Sequence, residues 1–214
     1  MCIALLAMLG AQNLAAQEEP DSGKFSVTVA PGLSIGSSPD ALGASSFSVG
    51  VGLEYGPLFS LYGAGFKLSL ESGYSQQMGK YDLYLDASDF ALRPYSSIIR
   101  RVPVMLWCTV ESPTRISPFI RAGVGISWTQ FEEHYSDTSA TTLDATDWGF
   151  TWGIGGGIRM QLDQRWSVAL FLDDWVSVDD VAGEVTSDRG DYSRKIPGPL
   201  KMTMVGVRGA IIIF

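Results

Sequence analysis

The sequence predicts an all-β protein, an eight-stranded antiparallel up-and-down transmembrane β-barrel. Three observations carry this. Apolar residues alternate with small or polar ones over long segments, the period-2 pattern of strands whose side chains point to opposite faces. No stretch shows the 3.6-residue period of an amphipathic helix. The connections between segments alternate between shorter and longer, as they do when turns close one end of a barrel and loops decorate the other.

Composition supports the same class. The chain has 214 residues, 46% hydrophobic and only 18% charged, below the roughly 25% charged of a soluble domain. Its net charge of −8 and isoelectric point near 4.6 lack the basic footprint of a phosphate-binding surface, so no nucleic-acid partner is expected. The one long apolar run, Met1 to Ala11, is shorter than the about 20 residues of a spanning helix. With the small residues Leu14-Ala15-Ala16-Gln17 behind it, residues 1–17 read as a secretory signal peptide lacking a basic start, the alternative being a short buried helix. Residues 18–23 then form a short N-terminal segment before a barrel over 24–214. Of the two cysteines, Cys2 falls in the leader and Cys108 remains as a small hydrophobe in a strand.

The strands follow in order. The first sets Phe25, Val27, Val29, Pro31, Leu33 and Ile35 against Ser26, Thr28, Ala30, Gly32, Ser34 and Gly36. The second sets Phe47, Val49, Val51, Leu53 and Tyr55 against Ser46, Ser48, Gly50, Gly52 and Glu54, and the third Ala64, Phe66, Leu68 and Leu70 against Gly65, Lys67, Ser69 and Glu71. Arg101 to Val110 is the fourth. The fifth opposes Ile120, Ala122, Val124, Ile126 and Trp128 to Arg121, Gly123, Gly125, Ser127 and Thr129. The sixth opposes Trp148, Phe150, Trp152, Ile154, Ile158 and Met160 to Gly149, Thr151, Gly153, Gly155, Gly157, Arg159 and Gln161. Trp166 to Val176 and Lys201 to Phe214 complete eight. The expected connections are 37–43, 56–62, 75–94, 111–118, 132–146, 163–165 and 177–199, the third, fifth and seventh being long.

The chemistry of the two faces decides the solvent. A soluble barrel covers its outside with charge, whereas here the polar face is mostly Gly, Ser and Thr with isolated ions. Such a face fits the narrow inside of an eight-stranded barrel, with Leu, Val, Phe and Trp turned to lipid. The soluble alternative is a lipocalin-like barrel. In the last strand, an outward Phe214 would put Arg208 in hydrocarbon at roughly 2–4 kcal/mol near the midplane. The opposite parity, with Arg208 inward and Val205, Val207, Ile211 and Ile213 outward, requires a bulge or an inward Phe214.

Arg101-Val102-Pro103-Val104-Met105-Leu106-Trp107, followed by Ser117-Pro118-Phe119-Ile120-Arg121-Ala122-Gly123-Val124-Gly125, resembles the strand-turn-strand signature of the small outer-membrane β-barrel domain of Bacteroidetes-type bacteria, an OmpX/OmpA-like architecture. Gly153-Ile154-Gly155-Gly156-Gly157 and the terminal Phe214 are similar to later parts of that pattern. The resemblance spans about residues 24–214. It implies insertion into the outer membrane with both termini periplasmic, and an aromatic end read by the outer-membrane assembly machinery. The lipid bilayer and lipopolysaccharide are the implied surroundings, and most members have no established activity.

The inward charges are the sharpest constellation. Lys67, Arg101, Arg121, Arg159 and Arg208 face Glu54, Glu71, Glu111 and Asp173, and unpaired charges in a narrow barrel are costly. A structural ion network filling the lumen is expected, with Arg159 taking a carboxylate such as Glu71 or Asp173. A selectivity lining for a small pore is the competing reading. Enzymatic activity is not expected. The sole histidine, His134, lies at the end of the fifth strand near Ser136, where a lipid-modifying enzyme would carry such residues, but a solvated loop position explains it. Asp82, Asp86 and Asp89, Glu132 and Glu133, Asp173 and Asp174, Asp179 and Asp180, and Asp188 and Asp191 lack calcium-loop spacing, so no metal or cofactor is assigned. The ligand of the outer loops is not legible.

Overall fold

A computed structural model describes residues 23–37, 45–81, 95–135, 142–178, 181–186, 192–196 and 200–213. Ten strands form one antiparallel sheet: β1 (Lys24–Ser37), β2 (Ser45–Leu61), β3 (Ala64–Tyr81), β4 (Tyr95–Glu111), β5 (Ile116–Tyr135), β6 (Thr142–Gln161), β7 (Trp166–Ser177), β8 (Val181–Thr186), β9 (Tyr192–Ile196) and β10 (Leu200–Ile212). Eight of them, β1 to β7 and β10, pair in order, and β1 closes on β10 from Ser26↔Ile212 to Ser37↔Lys201. This is the closed up-and-down barrel of the sequence reading. Closure pairs each of these eight strands on both sides, the condition for placing β-structure in hydrocarbon, where no water can satisfy an edge.

The strands outrun the expected ones at one end, and the connections shrink accordingly. The connection expected over 56–62 is strand as far as Leu61, closed by Tyr62-Gly63 with φ of 51° and 80°. Such a two-residue turn with both φ positive matches the twist of a hairpin. Pro57, the apparent breaker, sits where the β2–β3 register shifts between Tyr55↔Leu68 and Phe59↔Phe66, so its missing N–H interrupts no ladder. Toward the other end, β3 to β6 reach Tyr81, Tyr95, Tyr135 and Thr142. The seventh connection, expected as loop, holds the β8–β9 hairpin. Its β8 takes the edge of β6 at Thr142↔Thr186 and Asp144↔Glu184, beyond the last β7 partner, Thr151↔Ser177.

Side-chain parity follows the sequence pattern. Leu33, Ile158 and Leu170 are 62%, 54% and 66% exposed on the outer face, among a predominantly apolar surface, while Ser26, Thr28, Ser34 and Ser48 are buried inside. An apolar face of that extent is covered by lipid. Two aromatic girdles bound it. Phe25, Tyr55, Phe59 and Phe66 lie toward the short turns, with ring centroids 4.6 Å (Phe25–Tyr55) and 4.4 Å (Phe59–Phe66) apart. Phe47, Tyr74, Trp128 and Trp148 lie toward the loop end. Eight residues of β3 separate Phe66 from Tyr74, about 20 Å at 3.3 Å per residue and 40° tilt, close to the apolar band of an outer-membrane barrel. β10 runs in continuous register with Arg208 buried inside and Val205, Val207 and Ile213 outside, so no bulge is needed. Residues 1–17 and Phe214 lie outside the described residues.

Candidate functional site

Space for the lumen side chains is made by glycine. A Cβ on Gly52 would lie 2.7 Å from Glu71 Cγ, and one on Gly153 2.7 Å from the Trp107 ring. A Cβ on Gly123 would meet the other edge of the same ring at 2.6 Å, and one on Gly157 the Phe119 ring at 2.9 Å. Small and large residues thus alternate across neighbouring strands, which is how a narrow barrel fills its interior.

Inside, the charged side chains form two groups of two cations and two carboxylates. Nearer the short turns, Arg159 of β6 makes a fork to Glu54 of β2, with Nη1 to Oε1 and Nη2 to Oε2 both at 2.7 Å. Its Nη1 lies 3.1 Å from Glu111 Oε2, and Lys67 ion-pairs with Glu54 at 3.4 Å and also with Glu111. Farther along, Arg121 of β5 donates from Nη1 to both Glu71 oxygens at 2.7 and 2.9 Å and from Nε to Asp173 Oδ1 at 2.8 Å. Its Nη2 completes a second fork on Asp173 Oδ2. Arg208 of β10 reaches Glu71 at 3.2 Å and Asp173 at 3.8 Å. Paired forks of this kind are the strong form of charge-assisted hydrogen bond.

Eight of the nine inward charges set out from sequence, Glu54, Lys67, Glu71, Glu111, Arg121, Arg159, Asp173 and Arg208, meet there. Arg159 takes Glu54 and Glu111 rather than the Glu71 or Asp173 considered from sequence. Arg101, the fifth cation, stands apart. Asp173 and Asp174, adjacent in sequence, are not a cluster, since consecutive strand residues face opposite ways. Asp173 is fully buried, and Asp174 turns outward to accept from Thr203 Oγ1 at 2.6 Å.

Sequence reasoning missed the apolar half of the lumen. Met105, Trp107, Phe119, Phe171, Trp175, Met202 and Met204 form a buried cluster around the ions. The Arg121 guanidinium lies 4.1 Å from the Trp107 ring centroid, Arg208 4.9 Å from that of Phe171, and Arg159 5.8 Å from that of Phe119. Cations held over ring faces in a dry interior gain from the ring quadrupole. The available signal was parity. With Arg101 and Asp173 inward, Met105, Trp107, Phe171 and Trp175 fall on the same face.

The remaining candidates separate. His134 lies at the loop end of β5, in register with Ser96 and Thr142, and Ser136 lies outside the described residues. So do Asp82, Asp86, Asp89, Asp179, Asp180, Asp188 and Asp191. Glu132 turns outward onto Arg100. Among the described residues no three His, Cys, Asp or Glu side chains gather as a metal site. In the turn between β6 and β7, Asp163 accepts from the Arg165 and Trp166 backbone N–H groups at 2.7 and 2.8 Å, which hold its carboxyl below the usual carboxylate range.

The shape of the lumen follows from the two quartets. On the turn side a vestibule of about 1220 Å³ ends on Lys67, Glu111 and Arg159. On the loop side of the second quartet, a cavity of about 20 Å³ lies among Glu71, Arg121, Asp173, Arg208 and Trp175, room for about one water molecule.

A search of the curated proteins finds no match. Among solved structures, the fold is similar to a major outer membrane protein of Thermus thermophilus, at 12% identity and a TM-score of 0.66, covering 90% of this chain and 100% of that one. It is also similar to the outer membrane protein OprG of Pseudomonas aeruginosa, at 10% identity and 0.55, covering 90% and 99%. The outer membrane protease OmpT of Escherichia coli is similar at 7% identity and 0.51, covering 94% and 99%. These likenesses concern the fold. The outer membrane protein β-barrel domain family matches residues 1–180, and with the closed eight-stranded barrel, its lipid-facing girdles and its polar lumen, the chain belongs to that family of outer-membrane proteins.

Proposed function

We propose that this protein is a plugged barrel that acts through its long loops, in a structural or recognition role at the cell surface, with no reaction of its own. One observation carries the reading: two charge-balanced quartets lie across the lumen, each cation tied to carboxylates from two other strands. An eight-stranded barrel encloses just enough space for its side chains, and here that space is filled by forks and rings. Solutes therefore have no path, and what is left to meet a partner is the loop end. The orientation in this reading has the short turns and both termini in the periplasm and the loops outside, with lipopolysaccharide around the loop-end girdle. The assembly machinery would receive the chain during insertion.

The test is conductance of the full chain in planar bilayers. A plugged barrel is silent or shows only rare, small openings. Steady channels whose ion preference changes on Arg121→Gln would overturn the plug. Cleavage in the short turns by protease added to intact cells would overturn the orientation.

A further inference from the structure

Arg101 is the cation that neither quartet uses. It is 5% exposed on the inward face of β4, in the half of the lumen nearer the loops. Its Nε has no hydrogen-bond partner, and no carboxylate among the described residues reaches its guanidinium. Its register neighbours on β3 and β5 are Ser75 and Thr129, and the inward residues flanking it on β4 are Ile99 and Pro103. Asp147 lies in the same row, opposite Thr129, but is exposed and accepts from the Trp148 backbone N–H at 2.7 Å.

Two further buried polar groups share this orphan state on the adjoining strands. Ser48 of β2 stands in the same row, through Ser48↔Ser75 and Ser75↔Arg101, and its Oγ has no partner. Gln77 is the next inward residue of β3 and its Nε2 has none. Ser48 and Gln77 are 2% and 5% exposed. Buried donors left unmade cost about 1–3 kcal/mol each, more for a charged one. Three of them on neighbouring strands, one a full positive charge, call for an acceptor that is itself negative.

From this we infer that Arg101, Gln77 and Ser48 seat a small monovalent anion in the loop-end half of the lumen. The valence follows from charge. Both quartets are neutral, so one negative charge balances Arg101 and a divalent anion would leave an excess. The size follows from the neighbours, because Ser75 and Thr129 beside Arg101, and Ile99 and Phe131 in the next inward row, are buried as well.

The probe is chloride. The full chain is folded into liposomes and unfolded in urea while chloride replaces bulky gluconate at constant ionic strength. Wild-type stability rises with the logarithm of chloride above the dissociation constant, the folded-to-unfolded ratio growing about elevenfold when chloride stands tenfold above half-saturation. Arg101→Met abolishes the dependence, and Gln77→Leu, which keeps the charge, raises the half-saturating concentration. If Arg101→Met fails to fold, Gln77→Leu and Ser48→Ala carry the same comparison. A wild-type midpoint indifferent to chloride, or a shift that survives in Arg101→Met, overturns the site.

Discussion

Arg159 and Ile158 are neighbours in β6 that face opposite solvents, and truncating each to alanine weighs the inside of this barrel against its outside. Arg159 is 6% exposed and makes two 2.7 Å hydrogen bonds to Glu54, itself 4% exposed. Arg159→Ala leaves Glu54 with Lys67 at 3.4 Å as its remaining cation. Breaking a buried pair by removing one partner costs about 3–5 kcal/mol, because the other charge stays behind in a dry site. At about 1–3 kcal/mol per molar urea, that lowers the unfolding midpoint by about 1–5 M. Ile158 is 54% exposed on the lipid face. Ile158→Ala removes three carbons, at most about 2 kcal/mol of transfer energy, and lipid fills the gap, so no cavity cost is added. Urea unfolding in liposomes compares the two. The pair Glu54→Leu with Arg159→Met should recover much of the loss, since it strands no charge. A larger cost for Ile158→Ala than for Arg159→Ala would refute the assignment of inside and outside in β6, and with it the ion network as the stabilising core.

Glycine positions give an internal control on the same assay. Gly153→Ala should destabilise by about 1–3 kcal/mol through overpacking, because the new Cβ meets Trp107 at 2.7 Å and the Asp174 backbone carbonyl at 3.0 Å; Gly209→Ala, with nothing within 4 Å of its Cβ, should be neutral or slightly stabilising. For pH dependence, the Asp163 carboxyl is lowered in the folded turn, so its contribution is present above its unfolded value and is lost as pH falls through the folded one. Amide exchange at Arg165 and Trp166 should therefore quicken, relative to other turns, as the medium is taken below the ordinary carboxylate range, and Asp163→Ala should remove that dependence.

The barrel was legible because period 2 is the most durable pattern a strand leaves. In β1, β2, β5 and β6 each outward residue of the sequence reading is outward in the fold, and even the ambiguous β10 resolved on the cost of exposing Arg208 to lipid. What the pattern could not give was length. Ser, Gln and Tyr at the loop ends of β3 and β4 look like loop residues, yet they pair there because strand neighbours, not composition, decide where a ladder stops. The β8–β9 hairpin hid for the same reason: Gly183, Glu184 and Asp191 mask a short Val-Tyr-Ile alternation. Partner choice inside the lumen was beyond reach as well. It depends on how far the strands are staggered, and that stagger brings Arg159 to Glu54, across the barrel, rather than to the nearer-looking Asp173 of β7.

The stagger itself has a physical guard. On the outer face, hydrocarbon is as apolar as Leu or Val, so the lipid gives little reason to prefer one strand register over another. The inside supplies it. A one-residue slip of a strand turns its whole inward set outward. For β5, β6 or β10 that would carry Arg121, Arg159 or Arg208 into the bilayer, at roughly 2–4 kcal/mol each near the midplane, and would strand their carboxylates in the lumen. Trp107 would also lose its seat between Gly123 and Gly153. The arginines that fill the lumen are therefore the residues that make slipped barrels costly. Conservative apolar exchanges on the lipid face leave that discrimination intact, because it rests on charges the lipid never meets.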